Sequence, residues 1–190
     1  MFTKRLLIIS ATALAYFLFD RLNDLLFEQL EYSYSVHWVY LPSGLKMALI
    51  LLFLVNGAIG VTLASMLFTY LLPEFDGNYW SLAVTGLVMG LVPLWTRHIA
   101  VDWLKLDSDL TNLNAIKLFQ ISVLFAVIPP IVQQLWFFHS DMTENFLMST
   151  AVMIVGDWAG IVIFLYLLKL TLPVLRSSGL LGSNYDRSDE

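Results

Sequence analysis

Two charged residues lie inside stretches that are otherwise apolar enough to cross a membrane. Lys46 follows the sequence VHWVYLPSGL, and Asp157 lies in IVGDWAGIV. A charge near the centre of a membrane segment is costly, and it usually pairs with another group or marks a functional site. Because the two charges have opposite signs at similar predicted depth, we expect them to lie within salt-bridge reach or to be joined through one polar group or water.

Three interpretations of this pair remain open. It is either a buried ion pair that fixes the register of two helices, or a site where Lys46 binds an anionic or zwitterionic ligand, or a site where Asp157 takes up and releases a proton. Uncompensated charges are expensive in the hydrocarbon region, so each interpretation requires the two segments to pack together.

The residues around both charges favour close packing. Pro42 cannot donate a backbone hydrogen bond, and together with Gly44 it is expected to break or begin a helix. Irregular backbone at membrane depth is tolerated where it is buried in protein or lines a cavity. Gly156 and Gly160 are small residues four positions apart beside Asp157, a spacing that lets another segment approach closely. Gly86 and Gly90 have the same spacing elsewhere in the chain. The predicted ligand or ion-pair site comprises Trp38, Pro42, Gly44, Lys46, Gly156, Asp157 and Gly160.

Sequence signatures of catalysis are absent. The three histidines, His37, His98 and His139, are scattered, and the chain has no HExxH, G-x-S-x-G or glycine-rich phosphate motif. It has no cysteine, which excludes disulfides, thiolate catalysis and thiolate zinc sites. A net charge of −5 without a clustered basic face argues against nucleic acid as a partner. We therefore expect a protein that is not an enzyme and has no metal site and no cofactor.

The composition is that of an integral membrane protein. The chain is 58% hydrophobic and 13% charged, whereas soluble domains contain about 25% charged residues. We predict an all-α polytopic bundle of about six short transmembrane helices. Residues 1–175 would form a single membrane domain, and residues 176–190 a short polar cytoplasmic tail. The predicted spans are residues 5–19, 36–55, 57–72, 80–95, 115–138 and 145–172.

Two apolar runs meet at a turn signal formed by Asn56 and Gly57. We predict a helical hairpin with its tip there, and the alternative is a re-entrant pair of half-helices. The segments at residues 20–34 and 100–117 are predicted to be amphipathic interfacial connectors on opposite faces of the membrane. In the first of them, the apolar face would consist of Leu22, Leu25, Leu26 and Leu30.

The distribution of basic residues predicts the orientation. With both termini in the cytoplasm and six spans, Arg21 is the one basic residue in the outer loops. The inner segments would hold Lys4, Arg5, Arg97, Lys105, Lys117, Arg176 and Arg187. The positive-inside rule therefore favours cytoplasmic N- and C-termini.

Short motifs at both ends of the chain resemble the first type of bacterial membrane-associated sensor domain, the MASE group. The first motif, W-x-x-x-P-x-G-L-x-x-A-L-x-L-L, is carried by Trp38, Pro42, Gly44, Leu45, Ala48, Leu49, Leu51 and Leu52. The following NGAIGVTLASML looks like the second helix of that domain, and GDWAGIVIFLYLL resembles the G-D-x-x-G of its last helix. Such domains usually precede a cytoplasmic kinase or cyclase domain, and we expect this chain to act without one.

These observations predict a module in the bacterial inner (cytoplasmic) membrane with a sensory or accessory role. Its partners would be the lipid bilayer, a small-molecule ligand, and a membrane or cytoplasmic protein that receives the signal. A small transporter, or the substrate-binding subunit of one, is the alternative, because short helices around a polar midplane site suit that function too. A structural assembly factor without a ligand is a third.

Overall fold

The computed structural model describes residues 2–33, 35–71, 77–107 and 110–177. The chain is all-helical apart from a small β-hairpin, which confirms the predicted fold class. Five described helices are long and apolar enough to cross a membrane. In chain order the elements are α1 (Phe2–Phe27), a 3-10 turn (Glu28–Leu30), β1 (Glu31–Ser33), β2 (Val36–His37), α2 (Pro42–Tyr70), α3 (Tyr79–Leu104), α4 (Ala115–His139) and α5 (Phe146–Ser177).

The predicted count of six spans is not confirmed, because the second and third predicted spans both lie in α2. This helix is interrupted at Leu54, whose φ of 54° and ψ of −127° are not helical. A Cβ placed on Gly57 would collide with the carbonyl oxygen of Leu49. Residues eight apart in a straight helix are separated by about 12 Å. The chain must therefore reverse its direction at the interruption.

The two arms of α2, residues 42–53 and 55–70, consequently lie side by side. Leu49 from the first arm shares one hydrophobic cluster with Val61 and Ala64 from the second. The hairpin was predicted at Asn56 and Gly57, but its turn lies at Leu54, slightly earlier in the chain. Gly57 was predicted to form the turn. Its missing side chain instead allows the two arms to touch.

The helix α1 extends to Phe27, beyond its predicted end at residue 19. Along its second half, polar side chains are buried and leucines are exposed. Its buried residues are all polar or carry a polar group: Thr12, Tyr16, Asp20 and Asn23. The leucines of the predicted apolar face, Leu22, Leu25, Leu26 and Leu30, are exposed. The predicted surface helix at residues 20–34 is therefore wrong: most of it continues α1. In a lipid environment polar groups are better accommodated against protein, so the polar stripe faces the bundle.

The chain between α1 and α2 is extended rather than helical. The strands β1 and β2 pair antiparallel, with Glu31 opposite His37. The backbone N–H of Trp38 donates to the carbonyl of Leu30 at 2.9 Å, and that of Tyr40 donates to the carbonyl of Gly156 at 3.1 Å. The connecting segment, residues 38–41, is thus held against the middle of α5.

The helix α2 is the centre of the bundle, with α1 and α3 against it and α5 on another side. Gly86 and Gly90 of α3 provide the predicted close approach, because their missing side chains make room for Met66 and Thr62 of the second arm.

At the far end of the bundle, Leu106 is buried in a cluster with Met47, Ile50, Leu51, Ala100, Ile121, Phe125, Ala126 and Ile161. The connector after α3 therefore packs into the core, and the predicted amphipathic surface element at residues 100–117 is not observed in the part of that segment which the structure describes.

Candidate functional site

Two glycines of α5 hold the connecting segment in place. A Cβ on Gly156 would collide with the carbonyl oxygen of His37, and one on Gly160 would collide with that of Tyr40. On the opposite side, the backbone N–H of Leu41 donates to Asn23 Oδ1 at 2.9 Å in a buried hydrogen bond. Extended backbone can therefore lie between α1 and α5, since a side chain supplies the hydrogen bond that a helix would have supplied.

The helix α2 begins at Pro42, where the sequence predicted a break. The hydroxyl of Ser43 lies 2.8 Å from the carbonyl oxygens of both Tyr40 and Asp157, and its proton is shared between them. This contact joins the beginning of α2 to the part of α5 that carries the buried carboxylate. Gly44 continues the close approach, because a Cβ there would collide with Phe164.

Lys46 and Asp157 are both buried, each with 2% of its surface exposed, but they do not form a direct ion pair. In the described residues the ion pair within 4.0 Å joins Arg21 and Asp24, at 3.9 Å. The ammonium group of Lys46 interacts electrostatically with Asp157 and also with Asp20. The predicted pair is therefore part of a larger buried charge cluster.

A chain of hydrogen bonds extends from this cluster to α1. The Tyr40 hydroxyl donates to Asp20 Oδ1 at 2.6 Å, a length typical of a bond to a charged acceptor. The hydroxyl oxygens of Tyr16 and Tyr40 are 3.1 Å apart. Because the Tyr40 proton is engaged with the carboxylate, Tyr16 is the donor in that second bond. Lys46 Nζ lies 5.9 Å from the centre of the Tyr40 ring.

The chain of hydrogen bonds forms one wall of a cavity of about 260 Å³. The cavity lies where α1 ends and α3 begins, and it also contacts the β-hairpin, the second arm of α2 and the end of α4. Its lining residues are Tyr16, Asp20, Asp24, Glu31, Ser35, His37, Tyr40, Ser65, Phe68, Thr69, Thr85, Met89 and Phe137. Three of them are acidic, and none is lysine or arginine.

No family model, curated protein or solved structure matches this chain. The resemblance to the MASE sensor domains therefore stays a prediction. What the site does is argued from its own geometry, in which polar and aromatic side chains surround a small space.

The predicted site residues lie beside this cavity rather than in it. Lys46 and Asp157 are buried but are not among the residues that line the cavity, while Pro42, Gly44, Gly156 and Gly160 shape the backbone that supports Tyr40. Trp38 is 40% exposed and packs edge-on against Tyr32, with ring centres 6.5 Å apart. It does not line the cavity.

Sequence analysis missed the residues that form the cavity wall. Asp20 and Asp24 were assigned to an outer loop, and Tyr16 to an unremarkable first span. The signal that identifies them is the spacing of four between Thr12, Tyr16 and Asp20, which places polar groups on one face of an apolar helix.

Proposed function

We propose that this protein is a non-catalytic sensory or accessory module of the bacterial inner membrane that binds a small ligand in the cavity. The observation that supports the proposal is the cavity itself, with the buried chain Tyr16–Tyr40–Asp20 as its wall. Concave sites with a few convergent polar groups are the usual form of small-molecule sites. At about 260 Å³ the cavity is slightly smaller than the range of about 300–1,000 Å³ for drug-sized ligands, which favours a small occupant.

The proposal includes six crossing segments with both termini in the cytoplasm. Residues 36–41 are mostly extended and residues 42–53 are helical. At about 3.3 Å and 1.5 Å per residue, respectively, the two parts together reach about 38 Å, which exceeds the roughly 30 Å of hydrocarbon. The second arm of α2 then returns to the outer face. The cavity would lie in the outer half of the membrane and open towards the outside.

The same contacts provide a path for a signal. A ligand that contacts Asp20 and Tyr40 also acts on the connecting segment. This segment is bonded to α5 through the Tyr40 N–H, and the Ser43 hydroxyl at the start of α2 bonds to the carbonyls of both Tyr40 and Asp157. Since α5 leads to the predicted cytoplasmic end of the chain, a shift in the connecting segment would be passed to a partner protein there.

This function is tested with the full chain in lipid nanodiscs, incubated with a small-molecule extract and analysed by mass spectrometry for retained compounds. Thr69→Trp fills the cavity from its edge, and Thr171→Trp makes the same change at an exposed position of α5. We expect at least one compound to be retained by the wild type and by Thr171→Trp but lost from Thr69→Trp. If Thr69→Trp changes the retention of no compound, the cavity is not a ligand site.

A transport function is the second candidate, and the interrupted helices favour it. Transporter sites near the midplane are commonly built from broken helices, and here α2 is preceded by extended chain and reversed at Leu54. Reconstituted proteoliposomes distinguish the two functions. A transporter accumulates the retained compound inside the vesicles, whereas a sensory module binds it without accumulation.

A further inference from the structure

We propose that the cavity binds a small organic cation, a primary or quaternary ammonium compound. This inference rests on the proposed function, because it names the class of ligand for the same cavity. It depends on the charge of the walls and on their aromatic side chains.

The balance of charge around the cavity is negative. Its lining contains Asp20, Asp24 and Glu31, and Asp157 interacts electrostatically with Tyr16 of the same wall. Two basic side chains are close. The Arg21 guanidinium is 3.9 Å from Asp24, and Lys46 is shared electrostatically between Asp20 and Asp157. Four carboxylates thus face two basic groups, and a cationic ligand reduces the excess negative charge.

The aromatic lining suits the same class of ligand. Tyr16, Tyr40, Phe68 and Phe137 contribute to the walls, and the faces of such rings attract cations, including quaternary ammonium groups. The protein already uses this interaction at the edge of the cavity, where the Arg21 guanidinium carbon lies 3.9 Å from the centre of the Phe68 ring.

A buried histidine adds a further polar and aromatic group to the wall. His37 is 7% exposed, lines the cavity and stacks on Tyr40 with ring centres 5.7 Å apart. Its Nδ1 atom has no hydrogen-bond partner among the described residues. Buried polar groups without a partner are uncommon.

The arrangement of the acidic groups argues against a bare metal ion. In the described residues no three histidine or acidic side chains are grouped closely enough to hold a metal. The carboxylates lie around a space of about 260 Å³ rather than converging on one point. A site of this kind is better filled by an organic cation whose charge is spread over several atoms.

The test is isothermal titration of the full chain in nanodiscs with choline and with ethylammonium. The control ligand is the uncharged analogue of choline in which a carbon atom replaces the nitrogen. We expect at least one cation to bind, and the uncharged analogue to bind more weakly than choline. Asp20→Asn keeps an oxygen acceptor for Tyr40 but removes the charge. It should weaken cation binding about tenfold or more, a factor that corresponds to about 1.4 kcal/mol.

Asp102→Asn, which removes a charge at an exposed position of α3, should leave binding unchanged. If Asp20→Asn does not fold, Glu31→Gln at the exposed edge of the cavity replaces it and should also weaken binding. The proposal is overturned if neither cation binds, if the uncharged analogue binds as tightly as choline, or if the folded variants bind as the wild type does. If Thr69→Trp still abolishes the retention of a compound from the extract, the cavity remains a ligand site and only the assignment of its ligand as a cation fails.

Discussion

Tyr40 is the residue at which the buried polar groups of this protein meet. Its hydroxyl donates to Asp20, its ring lies near Lys46, its N–H bonds to Gly156 and its carbonyl contacts Gly160 and Ser43. One residue therefore connects the carboxylate of α1, through its side chain, with the backbone of α5, through its own backbone. Removing its hydroxyl tests whether this connection stabilises the fold.

We expect Tyr40→Phe to lower the free energy of unfolding by about 1.5–3 kcal/mol, because it removes a hydrogen bond to a buried charged group. Tyr166→Phe is the matched control, since Tyr166 is 60% exposed on α5. Denaturant titration in detergent measures both changes. Equal effects of the two substitutions would show that the bond between Tyr40 and Asp20 contributes nothing to stability.

Lys46 and Asp157 are expected to be coupled even though they form no direct ion pair. Replacing one member of a buried charged pair typically costs about 3–5 kcal/mol, because the other is left without compensation. Lys46→Met or Asp157→Leu alone should therefore reduce the yield of folded protein, and the double variant should recover part of the loss. The recovery will be partial because Asp20 also interacts with Lys46. Losses that simply add in the double variant would show that the two charges are independent.

At the residue scale, the sequence identifies charges more readily than hydroxyl groups. Lys46 and Asp157 are recognisable because charge is rare in apolar spans, and both are buried as expected of a charged site. Tyr16 and Tyr40 are not recognisable in this way, because tyrosine is common near membrane interfaces without any function. Their importance follows only from the positions that α1 and the connecting segment give them.

The contact between α5 and the connecting segment is the feature that determines the shape of the site. We expect Gly160→Leu to destabilise the protein by about 3 kcal/mol, at the upper end of the usual cost of overpacking, because the new side chain meets the backbone of Tyr40 rather than a flexible side chain. Val162→Leu adds a methylene at an exposed position of the same helix and should have almost no effect. Thermal unfolding in nanodiscs compares them, and a fully stable Gly160→Leu protein would contradict the observed packing.

At the scale of elements, the sequence predicts uninterrupted helices well and interruptions less well. The spans predicted at residues 115–138 and 145–172 correspond closely to α4 and α5, because long apolar runs between polar loops leave few alternatives. The reversal of α2 is displaced to Leu54, since a turn signal shows that the chain can bend but does not fix the residue that adopts a positive φ. The polar face of α1 was not predicted, because residues 20–34 were assigned to a separate connector. In a lipid environment the polar groups of this helix pack against protein and its leucines are exposed.

At the scale of the whole molecule, the orientation depends on the number of crossings. With six crossings, reporter fusions after Glu190 and within residues 97–105 should indicate the cytoplasm. Fusions within residues 74–78 and 141–145 should indicate the outside. The physical reason is the excess of basic residues on the predicted inner side. A cytoplasmic signal from residues 141–145 would contradict the six-crossing arrangement.

The central claim, that the cavity is a ligand site open to the outside, is tested most directly by cysteine accessibility. The chain has no cysteine, so Thr69→Cys introduces a single thiol in the cavity wall at a partly exposed position. Ser122→Cys is the control, because Ser122 is 3% exposed and contacts Met47 in the core instead. In intact cells a membrane-impermeant thiol reagent should modify Thr69→Cys and leave Ser122→Cys unmodified. Equal protection of both positions, or modification of Thr69→Cys only after the reagent reaches the cytoplasm, would contradict the claim.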